Sequence, residues 1–427
     1  MAGGDITINA TNAGNLLSDW FSKITANLVP EISFLYQMAP FQSFQAVSGN
    51  AYVPVYDAWP QGWTLMAPGS NQDMNPSVSP EFPRAIVPIP AIGMTQAITY
   101  EQLRRMQNDP DYTFKEIIPK MNMLKLSHTS LYEAFDLYGQ DPNGFGDISA
   151  VGADTIDITA ANYAKGLFVD RGNGSFDIYR AGVWTGQTIQ VYGPDNANPN
   201  RLIVNPADTG KVLVGDVIRP QAAGQYLIKE FKGIISILNE QTSLFSVDLT
   251  QYPLMKGSRL NNAGNPLTFE NLLAAMLKTG FYCSYSEESD ATVLVSPLSF
   301  GDIVKEVEVV RTFGGNQYNT KRIQRGAMEG VQIYGPNGVF TMICHPKIKA
   351  QHCVGLRMNS WISPGVTDIH LVNYGTTQDT FGPLYHIPRS LMFEYMTYSQ
   401  RAIFCTQPAK NFLIYNITPS ATFQAAA

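Results

Sequence analysis

The chain has 427 residues, enough for two or three compact units at roughly 100–200 residues per domain. It is 44% hydrophobic and 11% aromatic but only 15% charged, against roughly 25% charged in an average soluble protein. That balance leaves apolar surface for permanent subunit contacts. The net charge of −6 and the lack of a basic tail argue against a protein that binds nucleic acid by neutralising phosphates. No apolar run approaches the roughly 20 residues needed to span a bilayer. Met1-Ala-Gly-Gly-Asp has none of the charged and apolar regions of a signal peptide. A soluble, cytosolically made protein is expected, with Cys283, Cys344, Cys353 and Cys405 as free thiols.

Residues 14–38 carry Leu17, Trp20, Phe21, Ile24 and Leu28 at helical spacing, interrupted by Pro30. This is an amphipathic helix with few charges, and it must lie against something else. Residues 46–98 change character: proline stands at 54, 60, 68, 76, 80, 83, 88 and 90, and lysine is absent. Tyr52–Tyr56 and Ala85–Ile89 alternate as strands, and their prolines confine them to edges or to a projecting two-stranded arm. A segment this long without a helix is usually functional.

Thr99-Tyr-Glu-Gln102 has the form of a capping box. After Asp109-Pro110, Phe114, Ile117, Ile118, Met121, Leu124, Leu131, Phe135 and Tyr138 form a sustained helical stripe, which Pro119 kinks or restarts. Residues 150–255 are expected to be all-β. The runs Thr188–Tyr192, Arg201–Val204, Lys211–Val214, Tyr226–Ile228, Ile234–Leu238 and Phe245–Leu249 are separated by turn residues. Their spacing suggests a small barrel or sandwich.

From residue 266 the pattern is α/β. Thr268 caps a helix with Leu272, Leu273, Met276 and Leu277 on its buried face. Ala291–Val295 is a buried strand, and Ser296-Pro297 starts a second helix. Val331–Tyr334 and Val339–Ile343 flank a Gly-Pro-Asn-Gly turn as a hairpin. Lys347–Leu356 holds another short element, residues 360–382 are expected to be a loop, and strands close the chain at 392–397, 402–406 and 412–416. The sequence has no internal repeat.

The sequence carries no phosphate-binding loop, no dinucleotide fingerprint and no HExxH or GxSxG arrangement. Cys344-His345 with His352-Cys353 is the one set with metal-ligand chemistry, but adjacent side chains on a strand face opposite ways, which disfavours a tetrahedral zinc site. Glu287-Glu288 and Glu306 with Glu308 are expected on exposed faces. The basic group Arg311, Lys321, Arg322 and Arg325 fits a solvated loop or an interface. No enzyme, cofactor or metal is expected.

The order of these elements resembles the Hong Kong ninety-seven-type fold of the major capsid proteins of tailed bacteriophages. Within residues 267–361, the segment Leu272–Gly280, the strand Val293–Ser296 and the hairpin around Gly335-Pro-Asn-Gly338 resemble that family's axial domain. Tyr398–Phe404 and Asn411–Ile417 resemble its closing strands. The resemblance implies an α+β fold divided as follows: an N-terminal arm (1–45), an extended loop (46–98), a spine helix and peripheral domain (99–149), an inserted β-barrel-like domain (150–265), an axial domain (266–382), and closing strands with a tail (383–427).

It further implies a virion shell of hexamers and pentamers around packaged double-stranded DNA, assembled in the host cytoplasm. The implied partners are further copies of the chain, a scaffolding protein, a portal and a decoration protein, with only non-specific contact to DNA and none to a membrane. The assembly residues it points to are Trp20 and Phe21 in the arm, Trp59, Trp63 and Leu65 in the extended loop, and Arg84 near its base. No lysine lies between Lys23 and Lys115, so the loop supplies none for an isopeptide cross-link of the kind this family's type member makes. The alternative is a phage tail or other β-rich virion protein, which the α/β segment at 267–361 disfavours.

Overall fold

A computed structural model describes residues 34–44, 49–55, 83–108, 118–169, 174–195, 197–221, 232–282, 291–314, 322–325, 328–335, 338–373, 380–381, 383–387 and 390–420. Trp20, Phe21, Trp59, Trp63 and Leu65 lie outside the described residues, as do Phe114, Ile117 and Tyr226–Ile228.

A short helix α1 (Phe34–Met38) leads to strand β1 (Phe41–Ser43). Strands β2 (Asn50–Pro54) and β3 (Arg84–Pro88) pair antiparallel as a separate ribbon, from Asn50↔Pro88 to Pro54↔Arg84. The ribbon thus forms where the alternation placed it. Strand β4 (Ala91–Thr99) runs into helix α2 (Tyr100–Asn108). The capping box forms: Thr99 N donates to Gln102 Oε1 at 3.1 Å and Gln102 N to Thr99 Oγ1 at 3.4 Å.

The long helix α3 (Ile118–Tyr138) begins at the residue before Pro119, so the proline sits in the first turn, where a missing N–H costs nothing. It is not a one-sided helix. Residues 131–138 are buried without interruption, Glu133 and Asp136 among them.

Strands β5 (Gly146–Val151), β6 (Thr155–Ile158), β7 (Gly174–Arg180), β8 (Val183–Pro194), β9 (Arg201–Val204) and β10 (Val217–Pro220) close a barrel in the order β10-β5-β6-β9-β8-β7. Ile148, Ile156, Phe176, Ile178, Ile189, Leu202 and Ile218 are buried core residues on its strands. The predicted strand at Lys211–Val214 is instead a 3₁₀ turn over Thr209–Lys211 followed by a loop, in which Leu213 N donates to Asp216 Oδ2 at 2.8 Å. Asp208 and Asp216 satisfy the backbone there, so alternation without strand partners did not make a strand.

The predicted strand at Ile234–Leu238 is helix α4 (Ile234–Asn239). A short apolar run suits a buried strand or a buried helix equally, and here its surroundings decide. Gly233 N and Ser236 Oγ donate to Gly139 O at 2.9 and 2.7 Å, capping the C-terminal end of α3. A Cβ on Gly233 would lie 2.6 Å from Gly139 N, so no other residue allows this approach. Phe245–Leu249 likewise divides into the two-residue strands β11 (Ser243–Leu244) and β12 (Val247–Asp248), whose turn residues Phe245 and Ser246 have φ of 50° and 68°. Phe245 O accepts from Ile86 N at 2.9 Å and anchors the β2–β3 ribbon.

Strands β13 (Ser258–Asn261), β14 (Ala291–Val295), β15 (Arg322–Arg325), β16 (Met328–Gly335), β17 (Gly338–Cys344), β18 (Cys353–Arg357) and β24 (Phe412–Tyr415) form a seven-stranded sheet ordered β13-β24-β18-β14-β17-β16-β15. Helix α5 (Phe269–Gly280) packs on it through Leu272 and Met276, which share a core with Val293, Val295, Met342 and Ile414. Thr268 Oγ1 caps α5, and Ser296 Oγ caps helix α6 (Pro297–Gly314), both as the sequence suggests. Glu306 is not merely exposed: its Oε2 accepts from Phe269 N at 2.7 Å and ties α6 to the start of α5.

The expected loop at 360–382 contains strand β19 (Trp361–Leu371). Pro364, Gly365 and the polar residues obscured it, and the pairing absorbs them as irregularities at Gly365–Thr367 and Thr367–His370. It belongs to a second seven-stranded sheet with β1, β4, β20 (Thr380–Phe381), β21 (Leu384–His386), β22 (Met392–Arg401) and β23 (Phe404–Cys405). The whole is α+β with an inserted barrel.

Candidate functional site: the buried polar network around the spine helix

Helix α3 is surrounded by the second sheet, the barrel, α4 and the turn after β17, so its polar residues had to find partners inside the protein. At its first half, His128 Nδ1 lies 2.9 Å from Thr397 Oγ1 and Nε2 lies 3.1 Å from Ser399 Oγ, both on β22. Burial, with Arg401 and His370 adding to it, pushes the His128 pKa down to about 4. The imidazole is therefore neutral at physiological pH.

At the middle, Glu133 stands between two groups that follow β17. Lys347 Nζ lies 2.8 Å from Glu133 Oε2, and His345 Nε2 lies 3.3 Å from Oε1. His345 Nδ1 accepts from Lys347 N at 3.3 Å, which leaves Nε2 as the donor to Glu133. Burial alone would raise the Glu133 carboxyl, but His345 and Lys347 override it and hold its pKa at about 2.

At the end of α3, Lys349 Nζ lies 2.6 Å from Asp141 Oδ2, donates to Gly144 O at 2.8 Å and sits 4.4 Å above the Tyr138 ring. Arg219, from β10, donates to Asp141 O at 2.6 Å and stacks on Tyr179. Burial opposes ionisation of Asp141, but Lys349 beside it keeps its carboxyl below the ordinary range. The ion pair thus joins the end of the spine to the turn leaving the first sheet, and the Arg219 hydrogen bond adds the barrel.

On another side of α3, Arg401 of β22 pairs with Asp368 Oδ1 at 3.2 Å and lies over the rings of Tyr36 and Tyr132. Tyr36, on α1, donates to Asp368 Oδ2 at 2.6 Å.

The four groups reach every large unit of the described chain. All but Asp368 and Tyr36 are enclosed, so no substrate could approach His128, Glu133 or Asp136. What the arrangement can do is mechanical: it fixes the relative placement of the units through contacts that tolerate little displacement.

Of the sequence-predicted assembly residues, Arg84 alone lies among the described residues, exposed at the end of β3. Cys344 and Cys353 lie on β17 and β18, each in register with Val295 on the β14 between them. Their neighbours His345 and His352 turn elsewhere, His345 to Glu133 and His352 to Tyr138 at 6.3 Å between ring centroids. The polar network was not anticipated from the sequence. Its available signal was the cluster His345-Pro-Lys-Ile-Lys349 in a charge-poor chain, together with His128, Glu133 and Asp136 inside an otherwise apolar helix.

No protein-family model matches the sequence. No curated protein matches it. Among solved structures, the chain is similar to the capsid of cyanophage A-1(L), at 9% identity and TM-score 0.45, covering 90% of this chain and 92% of that one. It is similar to the virus-like particle from Pyrococcus furiosus, at 9% identity and TM-score 0.38, covering 93% and 98%. It is also similar to the holo-SrpI encapsulin complex from Synechococcus elongatus PCC 7942, at 8% identity and TM-score 0.39, covering 91% and 90%.

Proposed function

We propose that this chain is the shell-forming subunit of a virion, the major capsid protein of a tailed bacteriophage, assembling as hexamers and pentamers around packaged double-stranded DNA. The observation that carries the reading is the combination of a rigidly joined body with a proline-bounded two-stranded ribbon whose long connection is rich in large apolar side chains. Buried ion pairs tie the spine helix and its end to the turn leaving the first sheet, and buried hydrogen bonds tie them to the barrel and the second sheet, whereas β2 and β3 form a two-stranded ribbon whose connection, residues 56–82, carries Trp59, Trp63 and Leu65. The ribbon itself packs on the body through Ala51, Ala85 and Val87, and its long connection, with three large apolar side chains, is the part that meets a neighbouring subunit in this reading. The set and order of elements is the one in which the sequence resembles the capsid fold.

In this reading the units are the arm (1–45), extended loop (46–98), spine and peripheral region (99–149), inserted domain (150–265), axial domain (266–382) and closing strands (383–427). Closed symmetry lets many modest contacts add up to a stable shell. Trp20 and Phe21 of the arm and Trp59, Trp63, Leu65 and Arg84 of the loop supply those contacts. A scaffolding protein, a portal and a decoration protein are the further partners, and DNA is held without sequence-specific contact.

Deletion of residues 55–80 tests the assignment. The expected product is a folded subunit, with unchanged far-ultraviolet circular dichroism, that does not close shells. Intact particles from the deletion variant would remove the loop from the assembly mechanism.

A further inference from the structure

Strand β4 (Ala91–Thr99) pairs with β22 along its whole length, Thr99 facing Met392 and Ala91 facing Gln400. Among the described residues no strand lies on its other side. Tyr100 N donates to Leu391 O at 2.8 Å as the next step of the same ladder. Bonding residues alternate along an antiparallel pair, so Ile98, Gln96, Met94 and Ile92 bond to β22. The N–H and C=O groups of Gly93, Thr95 and Ala97 therefore point to the free side. Thr95, Gln96 and Ala97 are exposed in succession, and neighbours on a strand face opposite ways. The described body thus covers neither face of this stretch.

Proteins blunt open strand edges with charge, proline or shortness, and other edges of the described chain follow that rule. β1 has three residues and β20 two. β15 carries Arg322 and Arg325, and the β2–β3 ribbon ends in Pro54 and Pro88. On β13, Arg259 O is taken by Lys278 Nζ at 2.8 Å. β4 has nine residues and neither a charged residue nor a proline. A long neutral edge of this kind is a template for another strand.

We propose that this edge is a seam between two copies of the chain: β4 pairs antiparallel with β4 of a second copy about a twofold axis at Thr95, which joins the two second sheets into one. The strand's complementarity to itself selects this occupant. The register sets Thr95 opposite Thr95 and Gly93 opposite Ala97. All three residues carry their N–H and C=O on the free side, so each pair exchanges both backbone bonds. The opposed side chains on the exposed face are small, and a threonine pair across strands is favourable. On the other face Ile92 comes opposite Ile98 and Met94 opposite Gln96. A self-complementary contact would set a charge at the axis against its own copy, and β4 has no charge to set. Thr95 is the middle residue of the strand, so this register pairs its full length and a shift leaves one end out.

The seam joins two copies in solution as well as in a shell, so it stands or falls apart from the shell reading. Thr95→Cys in the full-length chain tests it under mild oxidation. At the axis the two Cα atoms stand about 5.5 Å apart, within reach of a disulfide. A covalent dimer is expected on a non-reducing gel, absent from the unaltered chain. Ala97→Cys alone is expected to give none, because each Ala97 faces Gly93 and stands roughly 14 Å from the other Ala97. Thr95→Pro removes an N–H on the free side and leaves the β22 ladder intact. In that variant the association of two copies, read by sedimentation velocity of the unassembled protein, is expected to weaken about tenfold or more, with circular dichroism unchanged. No cross-link in Thr95→Cys, equal cross-linking in Ala97→Cys, or undiminished association in Thr95→Pro overturns the seam. Shells that form without the Thr95→Cys cross-link reject the seam and keep the shell reading, whereas cross-linked dimers that build no shells keep the seam and reject that reading.

Discussion

Lys349 Nζ lies 2.6 Å from Asp141 Oδ2, and neither side chain is more than 8% exposed. The pair joins the end of the spine helix to the turn that leaves the first sheet, and the backbone carbonyl of Asp141 carries Arg219 of the barrel on the same peptide. Buried charges of this kind are expensive to separate, because each partner alone is a desolvated ion. The pair therefore works as a joint between units and not as surface decoration.

Removing one side of the joint is the first consequence. Lys349→Met leaves Asp141 buried without its cation and is expected to lower unfolding stability by about 3–5 kcal/mol. Adding Asp141→Leu to it is expected to restore a large part of that loss. Urea titrations of the single and double variants measure both, and a single variant as stable as the parent would show that the pair does not bind the units together.

The pH dependence of stability follows from the buried histidines and Asp136. Burial holds His128 and His352 at about 4, whereas the unfolded side chains protonate near 6.5. Their folded pKa values are depressed, so the unfolded chain binds more protons and stability falls as pH drops below about 6.5. Asp136 has the opposite sign. Raised to about 7, it takes up a proton on folding, and its contribution is full below its unfolded value near 4 and lost as pH rises to about 7. Between pH 5 and 6 two terms oppose one, a net slope near one proton, about 1.4 kcal/mol per pH unit. Asp136→Asn is expected to double that slope, and chemical denaturation at pH 5 and pH 6 reads it. An unchanged slope would mean that Asp136 is ionised in the folded chain.

Glycine 233 gives a steric prediction. Gly233→Ala places a Cβ 2.6 Å from Gly139 N and 2.7 Å from Phe135 O, both backbone atoms with no room to yield. The helix cap supplied by α4 then has to move, and a loss of about 3 kcal/mol or more in thermal or urea unfolding is expected. A variant that melts with the parent would place α4 elsewhere than against the end of the spine.

The sequence made some of this legible for specific reasons. The caps at Thr99, Thr268 and Ser296 were readable because capping is local: the residues that form the bond lie three apart. The β2–β3 ribbon was readable because proline limits where a strand can lie. Helix α4 was hidden because Ile234–Leu238 is a short run, apolar but for Ser236, that suits a strand as well as a helix, and only the approach of Gly233 and Ser236 to Gly139, nearly a hundred positions earlier, selects a helix. Strand β19 was hidden by Pro364 and Gly365, which its irregular pairing accommodates. The polar network joins Glu133 to Lys347 and Asp141 to Lys349 across more than two hundred positions, and a single sequence holds no signal for such pairings beyond the presence of charge in an apolar setting.

The central claim is assembly, and the most direct measurement is negative-stain electron microscopy of the purified chain with sedimentation velocity on the same sample. The account predicts closed polyhedral particles, or discrete hexamers and pentamers that close when a scaffolding protein is added, and it predicts their loss on combined Trp59→Ala, Trp63→Ala and Leu65→Ala substitution without loss of fold. A well-behaved monomer or small oligomer that forms no curved lattice under any of these conditions would contradict it.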